Sequence, residues 1–230
     1  MKNKTKNIQP KEIVDLLEVQ YGKAIWKRRH EPLDELILTI LSQHTSDINS
    51  ERAFKMLMDE FGDMYSVLNA EIPEIEKAIK SAGLFRIKAA RIKNVLSYIF
   101  NEIGSLNIEF LADLSMKDAK KWLTDIDGIG PKTAAIVLCF SFGMPAIPVD
   151  THVYRLSKRL GLIGSKITAD AAHDLLERIV DQNMIFQFHV YLINHGRNIC
   201  KAVRPRCKNC VLSEKCPSRV FQLGITRTLI

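Results

Sequence analysis

Asp127-Gly128-Ile129-Gly130-Pro131-Lys132-Thr133-Ala134 lies between two stretches of helical apolar spacing, 116–123 and 131–141. Glycines at i and i+2 allow positive φ and let the backbone approach a ligand closely. Pro131 suits the first position of the second helix, where its missing N–H costs nothing. The amides of the next turn then lack helix carbonyls and face outward at the positive end of the helix dipole, a place for a phosphate oxygen. Ile129 is expected to tuck inward and hold the turn. Taken alone, the segment also reads as an ordinary tight connection between helices. Lys132 occupies the second helical position, where the dipole disfavours a cation. An uncharged amine beside a phosphate-binding turn is what nucleophilic attack on a nucleic-acid sugar requires, and a plain cationic contact to phosphate is the alternative.

Outward from this hairpin, the same helical period covers nearly the whole chain. Pro32 precedes Leu33, Leu36, Ile37, Ile40 and Leu41, one buried stripe. Ala53, Phe54, Leu57, Met58 and Phe61 repeat it before Gly62, and Ile75, Ala78 and Ile79 before Gly83. Ile92, Val95, Leu96 and Ile99 make a further helix ending near Gly104. Ser115 and Asp118 resemble a capping box. Later helices are expected at 151–160, 169–181 and 184–196, and a separate amphipathic one from Pro10 to about Lys27. Alternating strand runs joined by Asn-Gly or Asp-Gly turns are missing, so the fold class is all-α. Gly143-Met144-Pro145-Ala146-Ile147-Pro148 is the clearest mid-chain break. It suggests the segments 1–32, 33–144 and 145–230.

The chain carries 33 basic against 26 acidic residues, a net charge of +7, which favours a polyanionic partner. No apolar run approaches the roughly 18 residues of a membrane span, and residues 1–9 lack the apolar centre of a secretory signal. The expected location is therefore intracellular and cytoplasmic, with no membrane partner.

Asp150, within Val149-Asp150-Thr151-His152-Val153, precedes the apolar positions Val153, Leu156 and Leu160. It reads as a helix N-cap, and equally as a carboxylate beside a developing positive charge. Four of five cysteines fall at Cys200, Cys207, Cys210 and Cys216. Structural zinc sites usually present two close Cys-x2-Cys pairs, and only one exists here. The uneven spacing favours a 4Fe–4S cluster, with zinc as the alternative. The surrounding segment is basic, with Arg197, Lys201, Arg204, Arg206, Lys208, Lys215 and Arg219 against Glu214. That charge offsets an anionic cluster and suits phosphates. Cys139, in an apolar run, reads as a core thiol.

The lysine hairpin, the Val149–Val153 run, and His195-Gly196-Arg197 with the cysteine quartet together resemble endonuclease III of the helix-hairpin-helix DNA glycosylase superfamily. The likeness spans about 33–216. It implies a two-domain fold: a six-helix barrel, and an iron–sulfur domain built from both chain ends. It implies a monomeric, nucleoid-associated enzyme of base excision repair acting on double-stranded DNA with a damaged base or AP site, oxidised pyrimidines being the family default. Lys132 matches the catalytic lysine and Asp150 the catalytic aspartate. The implied chemistry is glycosidic cleavage through a lysine Schiff base, then β-elimination that nicks the strand. Gly128, Gly130 and Thr133 would contribute hairpin contacts to DNA, and Lys201, Arg204 and Arg206 contacts from the cluster loop. Gln43, His44 and Asp47, in a stretch similar to the family's Leu-Ser-Gln segment, and Leu84 would wedge the duplex open. His44 stands where many relatives carry glutamine, and Asp127 where proline is common. Monofunctional branches generally lack the hairpin lysine, so its presence argues against them. A non-catalytic DNA-binding or redox module would not need Lys132 and Asp150, and a ferredoxin-like carrier would need an acidic docking face.

Overall fold

The structure is a computed structural model that describes residues 8–219. The expectations for the terminal stretches 1–7 and 220–230 lie outside the described residues. All regular structure among those described is helical. The α-helices are α1 (Pro10–Tyr21), α2 (Pro32–Ser42), α3 (Asp47–Phe61), α4 (Met64–Asn69), α5 (Ile72–Ala78), α6 (Phe85–Ile103), α7 (Met116–Asp125), α8 (Pro131–Phe142), α9 (Thr151–Arg159), α10 (Ala169–Ile179) and α11 (Ile185–Asn198). Short 3-10 turns occur at Lys80–Ala82, Glu109–Asp113, Gln182–Met184 and Cys207–Asn209.

Local chemistry sets the boundaries. Proline stands in the first turn of α1, α2, α5 and α8, where a lost N–H is harmless. The side chains of Ser46, Asp63, Ser115, Asp150 and Thr168 accept amides of the turns they precede. The N-terminal helix is shorter than its amphipathic pattern suggests, ending at Tyr21 instead of near Lys27. Gly22 takes φ 79 there, and Tyr191 then grips the exit: its hydroxyl donates to the Gly22 carbonyl (2.8 Å) and accepts the Ala24 amide (2.9 Å). A glycine C-cap thus ends the helix, its amide on the Glu18 carbonyl, and the tertiary contact fixes the path beyond it. The α4 helix, short and weakly periodic, has no counterpart in the sequence reading.

The chain divides into two compact units, 28–144 and a second made of 1–27 with 145–230. In the first, α2 buries Leu33, Leu36, Ile37, Ile40 and Leu41 and packs on α3, α6 and α8. The α8 helix is buried nearly all round, from Thr133 and Ala134 to Cys139 and Ser141. A helix enclosed in this way is a core element, so its N-terminus is held by the whole unit. Glu35, fully buried on α2, is held by a two-pronged contact from Arg29 (2.6 and 3.3 Å), whose guanidinium lies 5.6 Å from the centre of the Phe140 ring. In the second unit, α1 packs on α11 through Ile13, Val14, Leu17, Phe188, Tyr191 and Leu192, and α11 packs on α9. The cysteine segment follows α11, and a Lys215–Glu12 ion pair ties it to α1.

Candidate active site and cysteine cavity

In the first unit, the turn between α7 and α8 sets out the hairpin. Gly128 adopts φ 85, while Gly130 has φ −91 and ψ 175, ordinary extended backbone. The expectation of positive φ at both glycines therefore holds only for Gly128. Ile129, 4% exposed, is the inward anchor, and its amide bonds the Ile126 carbonyl (3.0 Å). The Ala134 amide closes the first bond of α8, on the Gly130 carbonyl (3.0 Å). The Lys132 and Thr133 amides precede it and have no helix carbonyl within reach. Lys132 is exposed at the second position of α8. Thr133 is 5% exposed, so its amide, not its hydroxyl, is the group available to a ligand.

The two glycines play different parts. A Cβ on Gly128 would lie 2.7 Å from Arg91 Nε, whereas one on Gly130 would meet nothing within 4 Å. Arg91, on α6, also donates from Nη1 to Gln43 Oε1 (2.5 Å), so it joins the hairpin to the loop after α2. In that loop His44 is exposed in a left-handed conformation (φ 54), and Asp47 opens α3. Leu84 is likewise left-handed (φ 48) and 53% exposed, directly before α6. At that exposure Leu84 is not a core residue.

In the second unit Asp150 caps α9. Its Oδ1 accepts the amides of His152 (2.9 Å) and Val153 (2.7 Å), so both cap bonds fall on one oxygen. From α9, Arg155 donates to the carbonyls of Gly196 and Cys200, and Arg159 to those of Lys201 and Ala202. The helix that carries Asp150 at its start thus braces the cysteine segment at its end.

Cys200, Cys207, Cys210 and Cys216 line one small cavity of about 20 Å³, together with Arg159, Pro205 and Arg219. Burial pushes the Cys210 thiol up to about 11 and raises Cys207 and Cys216 as well. Bare thiolates are costly there, and positively charged metal would offset that cost. The donors are also in place. Arg159 Nη1 lies 3.3 Å from Cys200 Sγ. Tyr21 contacts His195 Nδ1 (3.0 Å), whose Nε2 lies 3.1 Å from Cys210 Sγ. Burial holds His195 down to about 4. The tautomer in which the tyrosine hydroxyl donates to Nδ1 is the one that turns an N–H towards the Cys210 sulfur. The four thiols share one cavity, but among the described residues no three potential metal ligands stand close enough together to hold a single ion. Lys201, Arg204 and Arg206 are exposed on the same segment. Cys139 is 1% exposed on α8, a core thiol, as expected.

The model of the HhH-GPD superfamily of base excision DNA repair proteins matches residues 37–182. The chain belongs to that superfamily. Within it, endonuclease III of Thermotoga maritima is 32% identical over 186 residues, covering 81% of this chain and 83% of that protein. Endonuclease III of Rickettsia prowazekii is 35% identical over 181 residues, covering 79% of this chain and 81% of its own. An Arabidopsis thaliana relative is 38% identical over 183 residues, 80% of this chain; the chain spans 61% of that relative's length. Among solved structures, a trapped endonuclease III–DNA covalent intermediate matches with a TM-score of 0.78 at 27% identity, over 94% of this chain and 99% of that one. The all-helical architecture is the superfamily's endonuclease III fold.

The sequence reading missed Arg91, Arg159, Tyr21 and Lys88. Lys88 alone left a signal: it falls four residues before Ile92, on the apolar stripe of α6.

Proposed function

We propose that this chain is a base-excision-repair DNA glycosylase with AP lyase activity, acting on double-stranded DNA that carries a damaged base, an oxidised pyrimidine by preference. The observation that carries the reading is Lys132, exposed beside the free amides at the start of a helix fixed by the core. That arrangement supports binding of a backbone phosphate by the Gly130, Lys132 and Thr133 amides with the amine held next to the adjoining sugar. Lys132 Nζ attacks C1′ of the damaged nucleotide as the bond to the base breaks, and the base departs with the electron pair. The amine loses its proton as the new bond forms, and we assign the aspartate's part in that chemistry to Asp150 from its match to the family's Val-Asp-Thr-His run. Its fixed backbone and its oxygen outside the cap support that role. Ring opening gives an imine between Lys132 and C1′. Loss of a C2′ proton then expels the 3′ phosphate and nicks the strand.

Cys200, Cys207, Cys210 and Cys216 are the ligands we assign to a 4Fe–4S cluster. The uneven spacing of four thiols that share one cavity supports that assignment, and nitrogens of Arg159 and His195 face two of their sulfurs. Bound there, the cluster supplies a redox-capable centre and a template for the loop that presents Lys201, Arg204 and Arg206 to phosphates; no step of the base removal passes through it.

Borohydride reduction tests the reading. Wild-type protein with a lesion-bearing duplex should give a covalent complex, and Lys132→Gln should give none. A complex that survives in Lys132→Gln moves the nucleophile elsewhere. Base excision without a nick in the wild type reduces the enzyme to a monofunctional glycosylase.

A further inference from the structure

Lys88 is 2% exposed, among the most enclosed large side chains of the protein. It stands on the face of α6 that buries Ala89, Ile92, Val95, Leu96 and Ile99. A lysine in such a place needs acceptors for its ammonium. Nζ donates to the Leu41 carbonyl (2.7 Å) and to the Ala82 carbonyl (2.7 Å). Leu41 lies in the last turn of α2 and Ala82 ends the 3-10 turn 80–82. These are chain ends, where carbonyls lack helix partners. One cation therefore satisfies two helix ends that are far apart in sequence.

Each of those ends runs at once into a left-handed non-glycine residue. His44 follows Leu41 by three positions at φ 54, and Leu84 follows Ala82 by two at φ 48. Left-handed backbone is unfavourable for such residues, leucine above all, and persists only where its surroundings impose it. Both side chains are exposed. One turn after Lys88, Arg91 holds Gln43 in the same loop. Burial, with Arg91 nearby, draws the Lys88 ammonium down to about 8, while its two carbonyl partners favour the charged form.

We infer that Lys88 is a positioning residue for duplex opening: its ammonium clamps the His44 loop and the Leu84 loop into one rigid wedge. The inference rests on the reading of the chain as a glycosylase that opens DNA. Lys88 touches neither base nor sugar; it acts through Leu84 and His44. Chemistry that needs no duplex opening is therefore indifferent to it.

The test compares wild type, Lys88→Met, Leu84→Ala and the double variant on two substrates. The first is a lesion duplex with 2-aminopurine beside the lesion, whose fluorescence rises when stacking is lost. The second is a single-stranded oligonucleotide with an AP site. Lys88→Met should lose most of the fluorescence rise and slow duplex excision by about 10- to 100-fold, the range a small misplacement produces. Nicking of the single strand should stay within about twofold. The double variant should be little worse than the poorer single one, because both act through the same wedge. Wild-type fluorescence and excision in Lys88→Met would overturn the inference, as would equal losses on both substrates. Should Lys88→Met fail to fold by circular dichroism, Lys88→Arg keeps cationic donors and must retain the fluorescence rise; its loss in a folded Lys88→Arg protein also overturns the inference. A wild type that neither excises nor nicks refutes the glycosylase reading, while the fluorescence comparison still reports on Lys88.

Discussion

Replacing each hairpin glycine by alanine separates what the protein needs from what its ligand needs. At Gly128 the backbone is left-handed, φ 85, and a Cβ would come within 2.7 Å of Arg91 Nε and 3.0 Å of its Cδ. The conformation costs an alanine about 1–2 kcal/mol. Displacing Arg91 removes its bond to Gln43 (2.5 Å), worth about another 0.5–1.5 kcal/mol. Gly128→Ala should therefore lose about 1.5–3.5 kcal/mol, a fall in Tm of about 3–14 °C at about 2–4 °C per kcal/mol for a chain of this size. At Gly130 the backbone is extended and a Cβ meets nothing within 4 Å. Alanine gains about 0.4–1 kcal/mol through the unfolded state and loses a similar amount as a poorer N-cap. Gly130→Ala should hold its Tm within about 2 °C. Its duplex affinity should nonetheless drop about 10- to 100-fold, since the new methyl blocks a phosphate from charge-assisted bonds worth about 1.5–3 kcal/mol. Thermal melting gives the first quantity and fluorescence anisotropy with a reduced abasic-site duplex the second. If Gly130→Ala binds as tightly as wild type, no phosphate approaches the hairpin there and the proposed anchoring is wrong.

Asp150→Asn leaves an oxygen to accept the His152 and Val153 amides, so stability should change by less than about 0.5 kcal/mol while base excision slows about 10²- to 10⁴-fold. Excision at the wild-type rate would leave Asp150 as a helix cap alone. Burial, and then Glu35 nearby, pushes the Cys139 thiol up to about 12. At pH 9 only about one folded molecule in a thousand carries its thiolate, whereas an unfolded thiol ionises near 8.5. The unfolded state then binds fewer protons, so this residue's contribution to stability falls as pH climbs from about 8.5 towards 12. Iodoacetamide labelling followed by peptide mass spectrometry should modify Cys139 at pH 9 only after denaturation; rapid labelling of the native protein would refute its burial.

The hairpin was readable from spacing because its determinants are local. Pro131 fits only a first turn, Gly128 supplies a left-handed turn, and Ile129 is the apolar residue between. The Asp150 cap and the enclosure of Cys139 are local in the same sense. Gly130 shows the limit: a second glycine looks the same in sequence whether the fold or a ligand requires it, and φ −91 assigns it away from the fold. The early end of α1 was legible in Gly22, the kind of stop that closes the other helices; only the grip on that exit, from Tyr191 169 positions beyond the Gly22 carbonyl, depends on the fold.

The sequence by itself determined the helical class, most helix boundaries, the hairpin lysine, the capping aspartate and the cysteine quartet, all set by propensity, period and short-range spacing. Tertiary structure alone decided that the four thiols share one cavity, that His195 and Arg159 face two of their sulfurs, and that Lys88 and Arg91 tie two loops to α6. Those contacts join residues with no fixed spacing along the chain. They exist because burying a charge or a helix end obliges the fold to find it a partner, and only the packed chain determines which partner is near.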